Sequence, residues 1–188
     1  SVKSTQQVTR AMKMVSAAKL RRAQDAIFSQ RPYARALGVL FRQISSTSEL
    51  PVESPLIRSD ASMELKTKKV HLLLVTSDKG LCGSFNSSVV KAAQRWANAN
   101  KSRVADVTFG FYGRKGHEVF RGVGQVGEYY GVFGRRVGFG DAKKIADRLT
   151  EGFLGGAYDE VRVVYNEFKN AMSQRVVVER FLPLHAGE

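Results

Sequence analysis

Apolar residues open this chain in two successive helical patterns. Val8, Ala11, Val15 and Ala18 recur at spacings of three, four and three, and Met12, Met14 and Ala17 fill most of the remaining circumference. Only Lys13, Ser16 and Lys19 leave a narrow polar line. The stretch Ser4–Gln24 is free of Gly and Pro and rich in Ala, Met, Lys and Arg, all strong helix formers. A helix that is apolar nearly all round is normally buried on several sides. The second pattern is narrower. Leu20, Ala23, Ile27, Gln30, Ala34, Leu37, Phe41 and Ile44 alternate spacings of three and four, the signature of a coiled-coil seam. Pro32 falls inside it, and a helix-interior proline costs about 3 kcal/mol and kinks the axis. The stripe continues in phase across Pro32, so the expectation is one kinked but continuous helix, a rod about 60 Å long. Such a seam needs a second helix, and no later segment is long enough to supply it.

Beyond residue 45 the pattern changes. Residues 46–69 read as a linker, Ser/Thr-rich and then carrying Pro51 and Pro55. Strand patterns at Val70–Thr76, Asp106–Tyr112, Glu160–Asn166 and Arg175–Leu182 alternate with helical patterns at Ser84–Asn98, Arg114–Arg121 and Asp141–Leu154. Asp141 or the turn before it is the expected cap of the last helix. Gly122–Arg136 reads as irregular, with a possible strand at Val126–Tyr130. The expected fold class is α/β: a long N-terminal coiled-coil helix (1–45), a linker (46–69), and a Rossmann-like, mostly parallel α/β domain (70–188) ending in a hairpin.

Charge sharpens the picture of the first helix. The net charge is +13. Most of it lies before residue 43, where Lys3, Arg10, Lys13, Lys19, Arg21, Arg22, Arg31, Arg35 and Arg42 face a single acid, Asp25. An acidic partner is implied: acidic protein loops, anionic lipid or nucleic acid. A basic nucleic-acid-binding α/β protein is therefore the alternative reading, although the first helix interleaves its cations with aliphatic rather than aromatic residues. The single cysteine, Cys82, excludes an intramolecular disulfide. No apolar run reaches the length of a membrane span, and the residues from Ser1 on show no signal-peptide pattern.

Motifs for chemistry are weak. Ser77-Asp78-Lys79-Gly80-Leu81-Cys82-Gly83-Ser84 joins the first strand to its helix, where α/β proteins often bind ligands. It lacks the spacing of a phosphate-cradling loop. The expectation is structural: Ser77, Asp78, Gly80, Cys82 and Gly83 shape a tight turn, Ser84 caps the helix, and Cys82 is buried. Gly122–Gly127 matches G-x-G-x-x-G but follows a helix and precedes none, so it is read as a flexible Gly-rich loop rather than a dinucleotide site. His71, His117 and His185 have no metal-ligand spacing. Ser77, Asp78 and His117 lack the context of a catalytic triad.

Three separated stretches resemble one family. Thr5–Gln24 (T-Q-Q-V-T-R-A-M-K-M-V-S-A-A-K-L-R-R-A-Q) with Arg31-Pro32-Tyr33, Thr76–Asn86 (T-S-D-K-G-L-C-G-S-F-N), and Asn166–Gln174 (N-E-F-K-N-A-M-S-Q) followed by Phe181–Leu184 (F-L-P-L) are similar, in order, to the signatures of the γ subunits of F-type ATP synthases. The resemblance implies a rotor. In that family the first helix pairs with a C-terminal helix, the shaft turns inside a ring of α and β subunits, and the α/β domain is a foot bound to an ε-type subunit and to the c-subunit ring. The family's C-terminal helix is not expected within these residues. No catalytic residue, no cofactor and no metal are implied, nor any direct nucleotide or nucleic-acid binding, and membrane contact comes only through the c ring. Val8, Arg10, Met12, Lys13, Val15, Lys19, Arg21 and Arg22 are the implied contacts to the α/β ring. Leu20, Ala23, Ile27, Ala34, Leu37, Phe41 and Ile44 form the seam. The implied location is the cytoplasmic face of a bacterial plasma membrane, peripherally bound, with the matrix side of a mitochondrial inner membrane as the alternative.

Overall fold

The computed structural model describes residues 2–47, 54–57, 67–124, 127–134, 137–170 and 173–184. They form two units, one built on the first helix and one holding the remaining helices and all the strands. The first unit is α1, Val2–Thr47, a single helix of 46 residues that runs through Pro32 without interruption. Helix formers on both sides of the proline carry the element across it. Polar side chains along α1 fold back onto it: the Thr9 hydroxyl donates to the Thr5 carbonyl at 2.8 Å, and the Ser29 hydroxyl to the Ala26 carbonyl at 2.9 Å. Most of the expected linker at 46–69 lies outside the described residues. Within it, Ile57 bridges Leu184 in parallel, and the Leu184 N–H donates to the Leu56 carbonyl at 2.8 Å.

The second unit contains β1 (Lys69–Val75), α2 (Phe85–Asn100), β2 (Asp106–Tyr112), α3 (Arg114–Gly122), β3 (Glu128–Gly131), α4 (Phe139–Leu154), β4 (Glu160–Asn170) and β5 (Ser173–Leu182). The strands form one sheet in the order β3-β2-β1-β4-β5. Pairs β1/β2, β1/β4 and β2/β3 are parallel, and β4/β5 is an antiparallel hairpin. This is the mostly parallel α/β architecture expected from the strand and helix pattern. β1 is central because it is apolar on both faces. Val70, Leu72 and Leu74 point into a core shared with Val89, Val90 and Ala93 of α2 and Phe120 of α3. Leu73 points the other way, into a core shared with Leu149 and Phe153 of α4 and with Tyr158.

The starts of α4 and β3 differ from the sequence pattern, while the glycine motif sits as expected. Helix α4 begins at Phe139 with Gly138 at the N-cap, so of the two expected positions the cap falls in the turn before Asp141. Asp141 sits at the third helical position and accepts the Gly138 N–H at 3.0 Å, which satisfies the same end from inside the helix. Strand β3 begins at Glu128; Val126 lies outside the described residues. The glycine motif ends α3 at Gly122 and leads into β3, so no helix follows it. Gly127 is required by packing instead: a Cβ there would overlap the Phe111 ring and the Phe109 carbonyl.

Candidate partner interface

Helix α1 exposes what a globular protein normally hides. Val8, Met12 and Val15 are 56, 63 and 54% exposed, and Met14 is 63% exposed. The cations Arg10, Lys13, Lys19, Arg21 and Arg22 are all exposed. None of them forms an ion pair among the described residues. Helix geometry places the seam residues on one stripe. Leu20, Leu37 and Ile44 are exposed, as are Ala23 and Ala34, whereas Ile27 and Phe41 are half-buried. No other helix among the described residues matches α1 in length; α2 and α4 each have 16 residues. The apolar surface is also wider than the seam. Phe28, Tyr33, Val39 and Leu40 are each at least 45% exposed. Heptad spacing passes over them, because they flank the stripe rather than lie on it. Arg31 stacks over the Phe28 ring at 5.4 Å.

The loop from Ser77 to Ser84 lies at the carboxyl end of β1. There the strand order turns from β2 on one side to β4 on the other, which is where ligand crevices form in such sheets. The loop is instead closed on itself. Asn86 accepts the Ser77 N–H at 2.8 Å and donates to the Lys79 carbonyl at 3.3 Å and to Cys82 Sγ at 3.2 Å. Ser77 Oγ donates to the Lys79 carbonyl at 2.6 Å. Asp78 ties the loop to two other segments, accepting the Arg114 N–H at 3.0 Å on one oxygen and the Phe133 N–H at 2.8 Å on the other. Gly80 lies beside the Lys115 side chain, and Gly83 takes a φ of 58°. Two expectations need correction. Cys82 is exposed rather than buried, because Leu81 and Gly83 turn with positive φ and lift the loop off the core. Ser84 occupies the N-cap position of α2, but its side chain makes no cap hydrogen bond; Asn86 and the loop carbonyls do the local bonding instead.

Asp78→Ala is expected to cost about 2–3 kcal/mol, since two backbone donors lose a charged acceptor. Asp78→Asn should cost roughly half as much, because its one carbonyl can still accept one of them. Urea denaturation of both variants checks the ratio, and equal losses would refute the two-donor account.

Sequence spacing assigns His71 no role, yet it centres a polar cluster on the sheet. It is 3% exposed on β1. Its ring stacks on Tyr158 at 4.8 Å between centroids. The Tyr130 hydroxyl donates to Glu128 at 2.8 Å, so its oxygen is left to accept from His71 Nε2, 3.3 Å away. Nδ1 then accepts from the Thr108 hydroxyl at 2.9 Å. This network sets the tautomer as neutral Nε2–H. Glu128 is further paired with Arg148, whose guanidinium lies 4.4 Å from the Tyr130 ring centre. Burial pushes the His71 pKa down to about 4, against a smaller opposing pull from Glu128. Burial first, then the bond to Glu128, pushes the Tyr130 phenol above its ordinary range. An open cleft of about 680 Å³ adjoins the cluster, lined by His71, Thr108, Glu128 and Tyr158 among others. Its polar groups are already paired with one another, so it offers stacking surfaces and few free donors.

His117 is not brought to Ser77 or Asp78. It packs between the rings of Phe111 and Tyr129, at 5.6 and 4.6 Å. Among the described residues no group of three His, Cys, Asp or Glu side chains could hold a metal ion. No described helix is long and apolar enough to cross a membrane.

Comparison with known proteins places this geometry. The family described as ATP synthase matches residues 1–188. The ATP synthase gamma chain of Bdellovibrio bacteriovorus is 44% identical over 189 residues, covering 100% of this chain and 62% of that one. The ATP synthase gamma chain of Chloroherpeton thalassium is also 44% identical, with 98% of this chain and 60% of that one covered. The chain thus spans about 62% of the length of the Bdellovibrio relative. Among solved structures, a chain of the central stalk and c ring of the Tetrahymena thermophila mitochondrial ATP synthase superposes with a TM-score of 0.69 at 29% identity, over 94% of this chain and 72% of that one. A rotor chain of the Euglena gracilis mitochondrial ATP synthase shares the fold, with a TM-score of 0.63 at 19% identity over 97% of this chain and 59% of that one.

Proposed function

The chain belongs to the ATP synthase gamma family, and from that premise we propose that it is part of the central rotor of an F-type ATP synthase. The rotor couples proton flow through a membrane-embedded c ring to conformational change at catalytic sites on β subunits. The chain makes no bond itself and is a non-catalytic subunit. The observation that carries this reading is α1: 46 helical residues with apolar side chains and cations exposed round the circumference.

The seam from Leu20 to Ile44 pairs with a second helix of the rotor. Val8, Met12 and Val15, with Arg10, Lys13, Lys19, Arg21 and Arg22, face the surrounding α and β subunits. Exposed ion pairs contribute only about 0–1 kcal/mol each. Contacts that weak can form and break at every step of rotation, whereas deep interlocking contacts would act as a brake. Met12 adds an unbranched, polarizable side chain that adapts to changing surroundings. The α/β domain is the foot, bound to an ε-type subunit and to the c ring, on the cytoplasmic face of a bacterial plasma membrane.

The test is charge reversal in the assembled enzyme. Arg10→Glu, Lys13→Glu, Lys19→Glu, Arg21→Glu and Arg22→Glu together should lower proton-driven ATP synthesis in vesicles about tenfold or more, since each of the five contacts changes from weak attraction to repulsion. The subunits should still co-purify. Unchanged synthesis would sink the cation assignment. A chain that ignores α and β subunits and binds DNA with a steep salt dependence would sink the rotor reading itself.

A further inference from the structure

One side chain of the α/β domain gains nothing from the fold around it. Leu81 lies in the loop between β1 and α2 with a φ of 60°. Among the described residues every other positive φ belongs to a glycine. A bulky side chain in that region crowds its own backbone. The side chain is also 108% exposed, so no part of the domain covers it. A leucine thus stands in water on a backbone that glycine or asparagine would adopt with less strain. Such a position persists only where its surroundings over-determine it.

Asn86 does this by gripping the loop on both sides of Leu81. Its amide donates to the Lys79 carbonyl at 3.3 Å and to Cys82 Sγ at 3.2 Å, while its carbonyl accepts the Ser77 N–H. The Phe85 N–H closes on the Cys82 carbonyl at 3.2 Å, and Asn166 of β4 donates to the Phe85 carbonyl at 2.8 Å. The one acid of the loop, Asp78, is occupied by the Arg114 and Phe133 N–H groups. Lys79 and Arg114 are exposed, and neither forms an ion pair among the described residues. The loop therefore presents one apolar side chain and a positive charge balance, on a backbone that is already fixed.

We propose that Leu81 is a preformed anchor, held outward by Asn86, that seats in an apolar recess bordered by carboxylates on the ring of α and β subunits. The proposal rests on the reading of this chain as a rotor subunit, and the contact is additional to those of the foot with the ε-type subunit and the c ring. The ring is the partner because the loop repeats the chemistry of α1 between Val8 and Arg22, where exposed aliphatic side chains stand among exposed cations. A purely polar surface would gain nothing from Leu81, and a basic one would be repelled by Lys79 and Arg114. An anchor fixed before contact loses little freedom on docking, so the contact can be remade as the rotor turns without reordering the loop. Asn86 is a positioning residue: it acts through Leu81.

The experiment uses the assembled enzyme in vesicles, with the full-length form of this chain. Leu81→benzoylphenylalanine should crosslink to an α or β subunit on irradiation. Leu81→Asn suits the positive φ and removes the apolar side chain. It should leave the complex assembled and lower proton-driven ATP synthesis about fivefold or more. Leu81→Met, which stays apolar, should retain most of the synthesis. Asn86→Ala should lower synthesis by a smaller factor and add nothing to Leu81→Asn in the double variant, because both act through one contact; a merely structural Asn86 would add its own loss. Crosslinks only to the ε-type subunit or the c ring, no crosslink at all, or parental synthesis in assembled Leu81→Asn overturn the anchor. Additive losses overturn the role of Asn86. Failure of the parent chain to assemble with α and β overturns the functional reading beneath it as well.

Discussion

Gly113→Ala is expected to destabilise the α/β domain by more than about 4 kcal/mol, the range reserved for severe backbone and packing conflicts. Gly113 is the N-cap of α3, with φ 97° and ψ 142°. That combination is close to glycine-only territory, and a non-glycine residue there costs about 1–3 kcal/mol in backbone strain alone. Space adds the larger part. A Cβ at Gly113 would overlap the carbonyl of Thr76, which is backbone and cannot swing aside. Thr76 is itself 1% exposed and locked on both sides: its N–H donates to the Tyr112 carbonyl at 2.9 Å, and its Oγ1 accepts the Gly116 N–H at 2.8 Å. The crossing of β1, β2 and α3 at this point has no slack. Gly156 supplies the control. It has φ 75° but nothing within 4 Å of an added Cβ, so Gly156→Ala should cost only about 1–2 kcal/mol. Thermal or urea denaturation of the pair separates strain from overlap, and similar losses in both would refute the overlap argument.

Acid should destabilise the domain through His71 before it touches the carboxylates. The His71 pKa is about 4 in the folded protein, down from the ordinary histidine value of 6.5, chiefly because the charged ring would lose its water. Between those values the unfolded chain binds a proton that the folded domain refuses, so stability rises with pH across that window and falls as the pH drops through it. The contribution is fully present above pH 6.5 and is lost at about 1.4 kcal/mol per pH unit down to pH 4, about 3.5 kcal/mol in all. The carboxylates with resolved shifts act lower. Glu118 is held below its usual range first by the hydrogen bond from Lys115, and Glu167 first by that from Lys169; both lose their contributions only as the pH falls through those depressed values. The tyrosines of the cluster stay neutral, because burial pushes Tyr130 and Tyr158 upward. His71→Gln keeps a hydrogen-bonding side chain without the titration. It should be less stable than the parent at pH 7 and nearly flat between pH 6.5 and 4.5, where the parent declines. Parallel declines in the two proteins would show that another group is responsible.

Much of the architecture was legible because it rests on local patterns. The stripe from Leu20 to Ile44 carried α1 through Pro32, although proline alone argues for a break. The run V-H-L-L-L-V could only be a strand buried on both faces, and the alternation of strand and helix implied parallel pairing with helical crossovers. The misreadings came where a side chain has several ways to satisfy the same local need. The pattern left the cap of α4 open between Asp141 and the turn before it; Gly138 in that turn takes the cap and Asp141 bonds back to it. Cys82 looked buried because isolated cysteines usually are, and two positive-φ residues around it turned the loop outward. Ser84 sits where a capping serine belongs, while Asn86 satisfies the neighbouring backbone.

His71 shows the limit most plainly. Its partners Thr108, Tyr130 and Glu128 come from β2 and β3, and Tyr158 from the turn before β4, far apart in sequence; no spacing rule joins them. Even the space for the ring is non-local, since a Cβ at Gly110 would run into His71 and Tyr130.

By itself, then, the sequence determined the long cationic helix, its apolar stripe, the order of elements and the likeness to rotor subunits, because periodicity and motif are properties of neighbours along the chain. Only the tertiary structure decided which glycines are indispensable, that the one cysteine faces water, and where a histidine is kept neutral. Those depend on segments brought together across the sheet, where burial, overlap and charge pairing are set by atoms that the chain alone does not place side by side.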